Sequence, residues 1–131
     1  MTYPTNSRYR EMEIMALPPE RRLVMIYSHL LVLLRQARRH IELNEVERRG
    51  ERIIKAQEIV FELTVTLDRE SGGQLAQQLA SLYAWLLREF AAIHSRPDLT
   101  RLDAVIRIVG ELHEAWEGAA AQLLGPPVGS A

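Results

Sequence analysis

The 131-residue sequence predicts an all-α protein, an antiparallel up-down-up-down four-helix bundle with a short N-terminal arm. Three observations predict it: four segments with apolar residues at steps of three and four, short breakers between them, and no segment with strand alternation. The 47% apolar and 25% charged composition is that of a folded globular chain.

Pro18 and Pro19 open the first helix, because proline suits a first turn, where its missing N–H costs nothing. From there to about Leu43, Leu23, Tyr27, Leu30, Leu34, Ala37 and Ile41 share one face. Asn44 is expected to cap the second helix, with Glu47 at the capping-box position. That helix runs to about Leu67, with Val46, Ile53, Val60 and Leu67 at intervals of seven and Ala56 and Leu63 between them. Asp68 to Gly73 breaks the pattern, the paired glycines supplying backbone freedom. The third helix spans about Gln74 to His94 and presents Leu75, Leu79, Leu82, Leu86, Phe90 and Ile93. Pro97 ends it, and Asp98 caps a fourth helix over Leu99 to Leu123, with Leu102, Val105, Val109, Leu112, Trp116, Ala119 and Leu123 in register. Residues 18–124 are thus the expected bundle, 1–17 an N-terminal arm containing Tyr9 and Met12, and 125–131 a disordered tail.

Chemistry is hard to find in this sequence. With no cysteine, neither a disulfide nor a thiolate metal site can form. A bundle di-iron site needs Glu-x-x-His motifs, and none occurs. His29 and His40 lie about 16 Å apart along their helix, too far to share a metal. No glycine-rich phosphate loop or nucleophile elbow is present. The expectation is a protein that is not an enzyme, with no cofactor and no metal. A net charge of −1 gives no electrostatic attraction to nucleic acid. The longest apolar run, Leu23 to Leu34, is too short for membrane insertion, and the sequence start lacks the pattern of a secretory signal. A cytoplasmic location is expected.

What stands out is apolar surplus. Ten of the twelve residues in Leu23 to Leu34 are apolar, Met25 among them. Ile54, Phe61 and Val65 sit off the second-helix seam; Tyr83 and Leu87 extend the third, and Ile106 and Ile108 the fourth. Burying one such side chain is worth ~1.5–3 kcal/mol, so half a dozen left in water withhold about 10 kcal/mol, comparable to a domain's whole stability of ~5–15 kcal/mol. The N-terminal segment, a second copy of the chain in a homodimer, or a client is expected to cover them.

Pro19-Glu20 with Leu23-Val24-Met25-Ile26-Tyr27, Lys55-Ala56-Gln57-Glu58-Ile59, Leu63 with Leu67-Asp68 and Gly72-Gly73, Leu82-Tyr83 and Ala115-Trp116 resemble, in order and spacing, the FliS family of flagellin export chaperones. The resemblance covers about residues 9–120. It implies a bundle that binds the disordered C-terminal segment of flagellin, prevents its polymerisation in the cytoplasm and presents it to the export-gate protein of the flagellar type III secretion system. Tyr9 resembles a family tyrosine in a segment able to occupy the client groove. The sequence departs from the family at Pro18, Arg22, His29-Leu30, Trp85 and Ile93. The expected client contacts are Tyr9, Met25, Tyr27, Ile54, Gln57, Phe61, Tyr83 and Leu87. The alternative is a structural or scaffolding bundle that acts only as a homo-oligomer.

Overall fold

A computed structural model describes residues 16–123, together with Tyr9 and Met12; the side chain of Leu123 and the remaining termini lie outside the described residues, and with them most of the expected arm and the whole expected tail. Four helices make up the described chain: α1 Pro19–Glu42, α2 Val46–Val65, α3 Gly73–Ser95 and α4 Leu99–Leu123. No strand occurs among the described residues.

The chain divides into two compact units, one of residues 1–29 and 110–131 and the other of Leu30–Val109. The second holds the C-terminal part of α1, all of α2 and α3, and the start of α4. Its core is a closed set of apolar side chains: Leu30, Leu33 and Leu34 from α1, Ile53, Ala56 and Val60 from α2, Leu86, Phe90 and Ile93 from α3, and Leu102, Val105 and Val109 from α4. Among the described residues no polar or charged residue is buried. In the other unit Tyr27 is fully buried and Ala120 nearly so.

Direction alternates along the chain. Gly50, near the start of α2, abuts His94, near the end of α3: a Cβ at Gly50 would lie 3.3 Å from the His94 ring. α2 and α3 are therefore antiparallel neighbours. Arg38, late in α1, forks onto Asp103, early in α4, with Nε–Oδ1 2.7 Å and Nη2–Oδ2 3.1 Å. The guanidinium holds the Asp103 carboxyl below its ordinary range chiefly by hydrogen bonding; burial opposes this, and the Arg38 charge adds a smaller lowering effect. A depressed carboxylate pKa adds stability above the unfolded value, near 3.8, and loses it as pH falls through the folded value. Asp103→Asn should therefore flatten the fall in stability below about pH 4 seen in acid titration followed by circular dichroism. An unchanged acid limb would show that this exposed pair contributes nothing, as many do.

The α1–α2 joint differs from the sequence expectation. Asn44 adopts φ 57°, the left-handed region. Its N–H donates to the Ile41 carbonyl and that of Glu45 to the His40 carbonyl, which is the Schellman arrangement closing a helix. Asn44 therefore ends α1 rather than starting α2, a role asparagine fills because it tolerates that conformation. Glu45 takes the N-cap position without a side-chain cap bond; its carboxylate instead meets His40 Nδ1 and Arg48 Nη1, each at 3.1 Å. The capping box expected of Asn44 and Glu47 does not form. Asp98 does cap α4, accepting the Arg101 backbone N–H at 3.0 Å.

The expected seams shift at two helix starts. Val46 is 65% exposed and Leu75 58% exposed. Ala76 and Tyr83 fill core positions of α3, while Leu82 is only half-buried. Before α3, Asp68 accepts hydrogen bonds from the Ser71 N–H and hydroxyl, tightening the turn. The two glycines that follow serve different needs. Gly73 has φ +59° with open space around it, whereas a Cβ at Gly72 would lie 2.5 Å from the Asp68 carbonyl oxygen. Gly110, by contrast, is inside α4 with nothing within 4 Å of a built Cβ. Gly72→Ala should cost about 1–3 kcal/mol through overpacking, while Gly110→Ala should add about 0.5–1 kcal/mol. Urea unfolding of the two variants checks both signs.

Candidate functional site

Gly50, Ile54, Gln57 and Phe61 follow one another at steps of four, three and four, so they share one face of α2. On α3, Leu87 lies seven residues before His94 and on the same face. Because Gly50 meets His94 across an antiparallel pair, equal steps from this contact bring residues level: Gln57 with Leu87, and Phe61 with Tyr83. Five of the eight expected contacts, Ile54, Gln57, Phe61, Tyr83 and Leu87, thus line one stretch of the α2–α3 seam.

Their depths differ. Ile54 is 44% exposed and Phe61 59%, and Val65, one turn further on, is 64% exposed. Gln57 and Leu87 are half-buried. Tyr83 is buried, so it belongs to the floor beneath the seam rather than to its surface. On the α3 side Ala80, Ala84 and Ala91 continue the face that carries Leu87, with Ala84 and Ala91 exposed. Small side chains there leave a shallow wall opposite the bulk of Phe61. The alanine wall of Ala80, Ala84 and Ala91 was not foreseen from the sequence, although alanine beside leucine at helical spacing is the signal. Val65 was visible as an off-seam residue without being counted among the contacts.

The other expected contacts fall in the unit of residues 1–29 and 110–131. Tyr9 is 66% exposed and Met25 44%, both open to a partner, whereas Tyr27 is completely buried and acts as a core residue. Ile106 and Ile108, expected as surplus, are half-buried.

The described residues hold no three His, Cys, Asp or Glu side chains placed to share a metal ion. A cavity at the α1–α2 joint, beside His40 and Arg49, measures about 80 Å³, far below the ~300–1,000 Å³ of small-molecule sites. No described helix is long and apolar enough to cross a membrane. The described residues thus define the class of all-α helical folds, one that carries an exposed apolar strip of Ile54, Phe61 and Val65 on α2.

Comparison with known proteins makes this specific. The family described as "Flagellar protein FliS" matches residues 1–123. The flagellar secretion chaperone FliS of Bacillus subtilis is 29% identical over 111 residues, covering 85% of this chain and 82% of that one. The FliS of Vibrio cholerae is 28% identical over 80% of this chain and 77% of its own, and the chaperone FliSB of Pseudomonas aeruginosa is 31% identical over 76% and 79%. A solved structure titled "Crystal structure of flagellar chaperone from bacteria" superposes with a TM-score of 0.76 at 20% identity, covering 93% of this chain and 99% of that chain, which supports the fold. The chain belongs to the FliS family of flagellar secretion chaperones, a chaperone rather than an enzyme family.

Proposed function

We propose that this chain is a cytoplasmic chaperone for flagellin, holding the disordered C-terminal segment as an amphipathic helix along the α2–α3 seam. Kept in that form, flagellin is prevented from polymerising and is delivered to the flagellar type III export apparatus through its export-gate protein. The observation that carries the reading is the uncovered face of Ile54, Phe61 and Val65 beside Leu87. Helix-in-groove binding reads anchors at such spacing. A segment that folds as it binds gives up ~2–5 kcal/mol or more to ordering, and a helical exterior of about 30 Å offers the contact needed to offset that. In the other unit Met25 and Tyr9 are exposed as well, while Tyr27 and Tyr83 are each buried within their own units.

Calorimetric titration with the flagellin of the same organism tests the proposal. A stoichiometric complex that a flagellin lacking its C-terminal segment cannot form is expected. Absence of any heat of binding overturns it. Light scattering that shows an obligate dimer indifferent to flagellin would instead favour a scaffold that uses the same face for self-association.

A further inference from the structure

The exposed face of α2 is not only apolar. Glu47, Glu51, Glu58 and Glu62 run along one side of Ile54, Phe61 and Val65, all four exposed. None takes part in an ion pair with another described residue. Two of the spacings, Glu47 to Glu51 and Glu58 to Glu62, are four residues, at which like charges destabilise a helix by a few tenths of a kcal/mol each. Lys55 lies on the same rim and offsets only one of the four. The opposite wall of the seam, Ala80, Ala84 and Ala91, carries no carboxylate, and Arg88 at helical spacing from Ala84 and Ala91 is exposed and cationic. The seam therefore has one acidic wall and one small-residue wall edged by the Arg88 cation.

We infer that the seam selects a helix whose apolar stripe is flanked by lysine or arginine on one side only, the side that lies against α2. This rests on the reading of the seam as a client groove and adds what that client must carry. The apolar stripe supplies contact area but fits the guest equally in either axial direction. A single acidic wall breaks that equivalence. Reversing the helix end for end places its cations over the alanines, away from the carboxylates. A guest with acidic residues on that flank meets like charge as its water is removed. Charge thus fixes orientation and excludes wrong partners more than it adds affinity.

The test uses the whole chain and three synthetic amphipathic helical peptides with an identical apolar stripe. One has arginine along the flank that meets α2, one has arginine along the opposite flank, and one has glutamate along the first. Fluorescence-anisotropy titrations are run at about 50 mM and about 500 mM salt, where screening lengths differ severalfold. The first peptide should bind about tenfold more tightly than either other at low salt, and the preference should shrink at high salt. The triple variant Glu51→Gln, Glu58→Gln and Glu62→Gln, confirmed folded by circular dichroism, should bind all three alike. Equal binding of the three peptides by the unaltered protein overturns the inference, as does a preference that survives the triple variant. The flagellin C-terminal segment is titrated in parallel. If it binds while the peptides show no preference, the charge rule alone has failed. If it fails to bind while the preference holds, flagellin is the wrong guest and the surface rule stands.

Discussion

Phe61→Asp is expected to weaken binding of the flagellin C-terminal segment by about a hundredfold while leaving the fold intact. Phe61 is 59% exposed in the free chain, so its ring contributes little to the core and much to any surface laid over it. Covering a phenylalanine ring is worth ~1.5–3 kcal/mol, which alone corresponds to about tenfold to a hundredfold in affinity. The aspartate adds a charge that the guest would have to desolvate without a partner. Surface changes of this kind leave stability within about 0.5 kcal/mol. Calorimetry beside urea unfolding separates the two quantities. Binding that survives with unchanged affinity removes the α2–α3 seam from the client site.

Phe90→Ala should act in the opposite manner, on the fold first. Phe90 is fully buried in α3, and truncating a buried phenylalanine costs ~3–5 kcal/mol, a large share of the ~5–15 kcal/mol that holds a domain together. Thermal unfolding should move down by at least about 10 °C. Any weakening of client binding in this variant should disappear when the measurement is repeated well below its melting temperature. A loss below about 1 kcal/mol would mean that the α3 face is not packed as described.

The helices were legible because their apolar period is strong and their breakers are proline and glycine. α4 begins and ends as expected from Asp98 and the periodicity, and α3 within a residue at each end. The errors lie where two chemistries share one residue type. Asparagine caps helix starts and also tolerates the left-handed turn that closes a helix; at Asn44 the second use prevails, because Glu45 and His40 complete the Schellman pair. Val46 and Leu75 satisfy the heptad arithmetic but stand in first turns, where the seam has not yet closed over them. Tyr83 shows the converse. One position beyond the expected seam residue Leu82, it is the side chain that points inward. The surplus face on α2 was legible as surplus, since Ile54, Phe61 and Val65 fall well round the helix from Ile53 and Val60. Which wall stands opposite depends on the Gly50–His94 contact, and sequence spacing carries no information about that pairing.

Apart from the phenols of Tyr27 and Tyr83, the described interior holds no ionisable side chain, which separates two responses to ionic strength that many proteins entangle. No charged side chain is buried there for salt to screen, so added salt has little purchase on the host apart from surface links such as Arg38–Asp103. The α2 rim, by contrast, is made of carboxylates. Salt reaches that exposed rim and not the interior, so grip on a guest and endurance of the host become separately adjustable.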